Sequence, residues 1–265
     1  MSSDLTFILI LALRMLTAAA FVVSASMIAE RTGPVIGALI ATLPISAGPS
    51  YTFLALDHDA AFVAQGALTS LPMNSATIFM SLAYAILAQR QSMLVSAATA
   101  VAVWLGLATL IRGVPWSLAS GLAVNVITFA ICLPLLQRYR HAKMPLITRR
   151  WYDVPLRAAL VATLVAVVTI LSGWVGPTIS GVLVMFPTVY TSMMLILHPR
   201  IGGPATAAVL ANGAYGMIGF TSAVAVLQVA ASQFGSAAGL SLALATCIVW
   251  NLGLWWMGRR KVAAK

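Results

Sequence analysis

Nine apolar stretches follow one another along the chain and leave almost no polar sequence between them. They cover approximately residues 5–28, 33–56, 61–88, 92–112, 116–137, 152–173, 177–197, 204–230 and 236–257, which we number as spans one to nine. An α-helix needs about 20 apolar residues to cross a hydrocarbon core about 30 Å thick. The sequence therefore predicts an all-α polytopic membrane protein with nine transmembrane helices.

The composition excludes the soluble classes of protein. Charged residues make up 8% of the 265 residues and apolar residues 61%, whereas a soluble domain has about 25% charged residues. A chain with so few charged residues cannot form a water-exposed surface. This excludes a soluble enzyme, a nucleic-acid-binding domain and a disordered chain. The sequence also contains no HExxH, nucleophile elbow, glycine-rich phosphate loop or zinc cluster. We therefore expect no enzymatic activity, no cofactor and no bound metal.

The net charge of +10 is distributed unevenly along the chain. If the long connection between spans five and six is cytoplasmic, twelve of the fifteen Lys and Arg residues lie on the cytoplasmic side. Only Arg112 then lies on the other side, and Arg14 and Arg157 lie in or near spans. Cytoplasmic connections of membrane proteins are enriched in Lys and Arg. The asymmetry predicts a bacterial inner-membrane protein with its N-terminus outside and its C-terminus in the cytoplasm.

The second half of the chain resembles the first when it is shifted so that Arg157 aligns with Arg14, with eight identities over 32 positions. The same shift, which we call the repeat offset, aligns residue types that are uncommon in membrane spans, namely Gly33-Pro34 with Gly176-Pro177 and Pro44 with Pro187. We interpret the pattern as a duplication of a four-helix unit. The predicted division is repeat unit one at 1–113, linker span five at 114–138, a basic cytoplasmic loop at 139–151, repeat unit two at 152–258 and a cytoplasmic tail at 259–265.

The single linker span reverses the second unit relative to the first, so the two units are expected to be inverted repeats. Inverted repeats recur in secondary transporters, where the substrate binds near the bilayer midplane between the repeats. Duplication without transport, as in an assembly scaffold, is the alternative.

A family resemblance accompanies this pattern. The stretch GPTISGVLVMFPTVYTSMMLIL, residues 176–197, resembles the small GlpM-like membrane proteins, which are single-unit proteins with a similar Gly/Ala-Gly-Leu and Phe-Pro-Thr run. The first half contains a looser version, GPVIGALIATLPISAGPSYTFLAL, with Ile45 where Thr188 stands and no Phe before Pro44. The resemblance implies a duplicated and inverted membrane fold more than it implies an activity.

Two prolines near mid-membrane, Pro44 in span two and Pro187 in span seven, predict helix breaks. A proline inside a helix removes a backbone hydrogen bond, and the freed carbonyl then lies at a depth where only a cavity can supply water. Polar side chains cluster beside both prolines: Ser46, Ser50 and Tyr51 in one half, and Thr188, Tyr190, Thr191 and Ser192 in the other. Two broken helices whose ends bind a ligand are one interpretation, and two kinked helices repaired by hydroxyl groups are the other.

Arg14 lies deep in span one, where an arginine at the bilayer centre costs about 2.5–3.5 kcal/mol on insertion scales. The five acidic residues all lie at helix ends or in connections: Asp4, Glu30, Asp57, Asp59 and Asp153. Without a carboxylate at mid-span, we expect Arg14 to face a cavity between the units and to attract an anion. The alternative is that Arg14 donates to carbonyls freed by Pro44 or Pro187.

These features predict a small secondary transporter or facilitator of a small anionic solute, working by alternating access around broken spans two and seven. A non-transporting scaffold or assembly subunit and a channel are the alternatives; a mid-depth cavity between spans two, three, seven and eight would favour transport over a scaffold. The expected partners are the lipid bilayer and the solute, and a homodimer is compatible with the sequence. The predicted substrate-binding residues are Arg14, Pro44, Ser46, Ser50, Tyr51, Asn74, Arg157, Pro187, Thr188, Tyr190, Thr191 and Asn212.

Overall fold

The structure is a computed structural model that describes residues 3–31, 44, 46–142 and 150–263. Within these ranges every regular element is helical. In chain order the helices are α1 (Ser3–Arg31), α2 (Ala47–Asp57), α3 (Ala60–Leu87), α4 (Met93–Ile111), α5 (Leu118–Gln137), α6 (Asp153–Val184), α7 (Thr188–Ile201), α8 (Gly203–Gly213), α9 (Gly216–Phe234) and α10 (Ser236–Ala263).

Seven of the described helices are long and apolar enough to cross a membrane, which confirms the prediction of a polytopic all-α membrane protein. They are α1, α3, α4, α5, α6, α9 and α10. The two predicted spans without such a helix are spans two and seven, the two that were expected to be broken. Part of span two, including Gly33-Pro34, lies outside the described residues, and span seven is divided between the end of α6 and α7.

The break in span seven is confirmed at Pro187. Gly176 has φ 74° and ψ 179°, a conformation in which glycine avoids the clash that a Cβ would cause. Pro177 then starts a short helical segment, residues 177–184, which we call the α6 tail. The chain leaves the helix at Met185, and Pro187 (φ −80°, ψ 63°) precedes the first residue of α7. At Pro44 the chain is also non-helical, and α2 begins at Ala47.

The connections place the helix ends at two opposite ends of the bundle. At one end, the turn that follows α2 packs on α6, because His58 Nε2 and Ser172 Oγ are 2.9 Å apart; we call this the Asp57 end. At the other end, the Tyr84 hydroxyl lies 2.8 Å from His198 Nδ1 near the last turns of α3 and α7; we call this the Arg200 end. The α6 tail therefore runs inward from the Asp57 end, and α7 continues to the Arg200 end.

Most of the described arginines outside the spans lie at the Arg200 end. Arg90, Arg138 and Arg140 follow the ends of α3 and α5 there, and Arg150 precedes α6. Arg112 follows α4 at the Asp57 end. The bundle therefore has one basic end within the described chain, in agreement with the predicted charge asymmetry.

Helix α3 is the central helix, because 72% of the residues in its most apolar stretch of 18 residues are buried. Close packing depends on small residues, since a Cβ on Gly181 would lie 2.1 Å from the carbonyl oxygen of Gly66. Asn74 Nδ2 donates to the carbonyl oxygen of Met217 at 3.0 Å, which joins α3 to α9. Asn125 Nδ2 donates to the carbonyl oxygen of Leu71 at 2.7 Å, which joins α5 to α3. Small residues and interhelical amide bonds are the usual means of association between membrane helices.

Candidate functional site

A cavity of about 360 Å³ lies where the two proline breaks meet. Pro44, Ser46 and Ala47 form one side of its wall, and the chain from Val184 to Pro187 forms another. Helices α3, α7, α8 and α9 complete the wall, with Thr77 and Asn212 as polar contributions. Five of the twelve predicted binding residues therefore line one cavity: Pro44, Ser46, Pro187, Tyr190 and Asn212.

The start of α7 faces this cavity without a side-chain cap. Thr188 N–H donates to the carbonyl oxygen of Phe186 at 2.8 Å, and Thr191 N–H donates to that of Pro187 at 2.9 Å. The other two N–H groups of this first turn belong to Val189 and Tyr190, and both residues line the cavity. No side chain accepts a hydrogen bond from the N–H groups at this end of the helix. The first N–H groups of a helix and its dipole favour a negative charge. The cavity wall therefore includes a locally positive region without a charged side chain.

Three hydroxyl groups in this first turn have no hydrogen-bond partner within the described chain. They are Thr188 Oγ1, Tyr190 Oη and Thr191 Oγ1, and each is buried. A buried polar group without a partner costs about 1–3 kcal/mol, so a cluster of three calls for an explanation. Tyr190 is the member whose residue lines the cavity, but its hydroxyl group is itself buried and contributes no accessible surface to the cavity.

Arg140 supplies the positive side chain that contacts the cavity wall. Its Nε donates to Asn212 Oδ1 at 2.8 Å, and its guanidinium carbon lies 4.5 Å from the centroid of the Tyr215 ring. Asn212 is itself held by a bond from its Nδ2 to the carbonyl oxygen of Ala208 at 2.8 Å. The sequence reasoning missed Arg140 because it lies in a connection, where basic residues were interpreted only as a topology signal. Its position beside α8 arises from packing between distant segments, which a single sequence does not reveal.

Arg14 is not among the residues that line the cavity, and the expectation that it has no carboxylate partner is wrong. Its guanidinium makes a two-pronged ion pair with Asp57, in which Nη2 lies 2.6 Å from Oδ1 and Nη1 also contacts Oδ2. Its guanidinium carbon lies 5.5 Å from the centroid of the Phe53 ring. The expectation failed because it considered the acids by their position along the chain, whereas Asp57 reaches Arg14 from a neighbouring helix.

The other predicted residues lie outside the cavity wall. Ser50 is buried and donates to the carbonyl oxygen of Ser46 at 3.1 Å, and the Tyr51 hydroxyl lies 2.5 Å from Ser70 Oγ. Asn74 bonds to α9, as described above, and Arg157 lies in α6 one turn after Asp153. Thr188 and Thr191 belong to the first turn of α7 without lining the cavity.

The Asp57-His58-Asp59 turn has structural contacts at each of its residues. Asp57 pairs with Arg14, His58 stacks on the Phe62 ring with centroids 3.8 Å apart, and Asp59 Oδ1 accepts from the N–H of Phe62 at 2.8 Å to cap α3. Across the described residues, no group of three or more His, Cys, Asp or Glu side chains is arranged to hold a metal ion.

No protein-family model, curated protein or solved structure matches the chain. The resemblance to the GlpM-like proteins stays a prediction.

Proposed function

We propose that the protein is a small transporter or facilitator of a small anionic solute in a bacterial inner membrane, working by alternating access around broken spans two and seven. The observation that carries this proposal is the cavity at which Pro44 and Pro187 meet. A scaffold has no need of a cavity between its helices, so the cavity favours transport over the scaffold alternative.

The positions of the helices support the inverted-repeat part of the proposal. Helices α3 and α8 begin at Ala60 and Gly203, and helices α4 and α10 begin at Met93 and Ser236. Both pairs of starting residues are separated by the repeat offset, the shift that also aligns the prolines. Helix α3 begins at the Asp57 end and helix α8 at the Arg200 end, as expected if the two units have opposite orientations. Inverted units with discontinuous helices at their interface are typical of secondary transporters.

The chemistry of the cavity supports an anionic solute. The start of α7 contributes amide groups and the positive end of a helix dipole. Arg140 does not line the cavity but donates a hydrogen bond to Asn212, which does. No Asp or Glu is among the described lining residues. A volume of about 360 Å³ falls at the lower end of the roughly 300–1,000 Å³ that is common for small-molecule sites, which suits a small carboxylate or oxyanion.

Binding is tested first by thermal shift of the purified protein with acetate, lactate, succinate, phosphate and sulfate, followed by uptake of the stabilising anion into proteoliposomes. We expect Arg140→Gln to weaken the stabilisation and Arg138→Gln, a neighbouring exposed arginine, to leave it unchanged. Saturable uptake supports a transporter, whereas non-saturating conductance supports a channel. Absence of both stabilisation and uptake for every anion contradicts the proposal.

The predicted orientation is tested independently with reporter fusions at residue 265 and within the 139–151 loop. Both are expected to report a cytoplasmic location. A periplasmic signal at either position contradicts the topology and the inversion together.

A further inference from the structure

We propose that two ion pairs act as clamps that control which end of the bundle the cavity opens to. The α2 clamp is Arg14–Asp57 at the Asp57 end, and the α7 clamp is Asp153–Arg200 at the Arg200 end. Opening of a clamp releases the outer part of its broken span and gives access to the cavity from that end. This inference rests on the proposed function, because it assumes that the cavity is a solute site.

Helices α2 and α7 are the short helices that start at the two proline breaks, and we call them half-helices. Each clamp joins the far end of one half-helix to the first long helix of the same unit. Helix α2 leads from the cavity to Asp57, its last residue, which Arg14 of α1 holds. Helix α7 leads from the cavity to its last turn, where Arg200 Nη1 donates to Asp153 Oδ2 of α6 at 2.7 Å. The two half-helices leave the cavity in opposite directions, so the two clamps lie at opposite ends of the bundle.

The clamps occupy equivalent positions in the two units but exchange their charges. The repeat offset that aligns the prolines carries Asp57 onto Arg200. It also carries Arg14 onto Arg157, and Asp153 lies one helical turn before Arg157. The acid is therefore on the half-helix in unit one and on the long helix in unit two. The same mechanical link between long helix and half-helix is thus made twice with different residues.

The surroundings indicate that the α7 clamp is the tighter of the two. Its side chains are 8% and 11% exposed, against 15% and 28% for the α2 clamp. Asp153 Oδ2 also accepts from the N–H of Arg150 at 3.1 Å, and the Arg200 guanidinium lies 5.0 Å from the centroid of the Tyr152 ring. Removal of one partner of a buried ion pair leaves an uncompensated charge and is strongly unfavourable. We therefore expect access from the Asp57 end to be the easier state to reach.

The test measures access to the cavity directly. A Ser46→Cys substitution places a single thiol on the cavity wall in a background in which Cys132 and Cys247 are replaced by Ala. The labelling rate is measured with a membrane-impermeant maleimide applied from each side of oriented vesicles. We expect Arg14→Gln to accelerate labelling from the Asp57 end, and Arg200→Gln from the Arg200 end, by about fivefold or more, the usual range of a conformational coupling.

Matched controls are exposed arginines at the same ends, Arg112→Gln and Arg90→Gln, which should leave both rates unchanged. The reversed α2 clamp, Arg14→Asp with Asp57→Arg, should restore the original rate. If a glutamine variant fails to fold, Arg14→Lys and Arg200→Lys keep the charge but lose the two-pronged geometry, and an intermediate acceleration is expected.

Two failures are distinguishable. If the introduced thiol is unreactive from both sides in every variant and no anion stabilises the protein, the proposed function itself is wrong. If the thiol reacts and an anion stabilises the protein, but none of the clamp variants changes either labelling rate, only the clamps are refuted.

Discussion

A close helix contact at Gly181, in the α6 tail, gives a quantitative prediction. A Cβ on Gly181 would lie 2.1 Å from the carbonyl oxygen of Gly66 on α3, and ordinary contacts begin at 3.4 Å. Gly181→Ala must therefore push the α6 tail away from α3 until the two atoms are no longer in collision. The same movement stretches the 2.7 Å bond that Ser70 Oγ donates to the carbonyl oxygen of Gly181. Overpacking of this kind costs about 1–3 kcal/mol.

A matched substitution isolates the steric part of this effect. Gly173 lies in the long part of α6, before the break at Gly176, and a Cβ there meets nothing within 4 Å. Gly173→Ala should therefore gain up to about 1 kcal/mol from helix propensity alone. Gly66→Ala, across the contact, meets its nearest atom, the carbonyl oxygen of Pro177, at a tolerable 3.4 Å. The structure thus predicts that two facing glycines differ in their tolerance of alanine.

The assay is the thermal unfolding of detergent-purified variants, followed by tryptophan fluorescence and by loss of the monodisperse peak in size-exclusion chromatography. We expect Gly181→Ala to melt clearly below the wild type, by about 2–4 °C for each kcal/mol in chains of roughly this size. Gly173→Ala should melt at or above the wild-type temperature, and Gly66→Ala close to it. Equal melting temperatures for Gly181→Ala and Gly173→Ala would refute the close approach of the α6 tail to α3.

Individual side chains give three further predictions. Tyr190→Phe should leave the melting temperature unchanged or raise it, because the buried hydroxyl has no partner within the described chain. Its control is Tyr84→Phe, which loses a 2.8 Å contact with His198 and should lower the free energy of unfolding by about 0.5–1.5 kcal/mol. Asn125→Leu removes bonds to the carbonyl oxygens of Leu71 and Gly121 and should destabilise the protein by about 0.6 and at most about 1.7 kcal/mol in a denaturant titration. Hydrogen bonds from Arg200 and, to a lesser extent, from Arg150 lower the pKa of Tyr152 from its usual 10. These bonds favour the ionised phenol in the folded state. Their contribution to stability is therefore complete above the usual pKa of tyrosine and is lost as the pH falls through the lowered pKa of Tyr152. The difference in ultraviolet absorbance between wild type and Tyr152→Phe during an alkaline titration should show ionisation below the usual pKa, and a transition at or above it contradicts the contacts.

The general architecture was predictable because lipid imposes a simple rule on the chain. Backbone polar groups in hydrocarbon must be paired within the segment, so length and hydropathy alone locate α3, α4 and α5 within a few residues. Pro187 was equally informative, since the ring removes a hydrogen bond that nothing else in the helix can replace. The division of the predicted eighth span into α8 and α9 was not predicted. Its interruption at Ala214-Tyr215 contains neither proline nor a charge, and the glycines on either side, Gly213 and Gly216, were not interpreted as a break because they lie within an apolar run.

The candidate site was predictable at the two proline breaks and at three polar residues, Ser46, Tyr190 and Asn212. Pro44 and Pro187 line the cavity as expected, because a break in a helix fixes where its own ends lie. The charged residues were predicted less well: Arg14 pairs with Asp57, and Arg140 contacts the cavity wall through Asn212. A charge is positioned by whatever packs against it, and depth along one helix does not identify the neighbour on another.

The internal repeat nevertheless contained a signal for the ion pairs. The repeat offset that aligns Arg14 with Arg157 also aligns Asp57 with Arg200, so equivalent helix ends carry opposite charges. Asp57 and Arg200 both pack against the adjacent long helix with little of their side chains exposed, and a charge in that position is costly without a partner of the opposite sign. Arg14 already supplies that partner for Asp57, whereas Arg157 has the wrong sign for Arg200. An acid near Arg157 is therefore required, and Asp153, one turn away, meets that requirement. Equivalent positions in inverted repeats can thus be tested for charge complementarity before any coordinates are known.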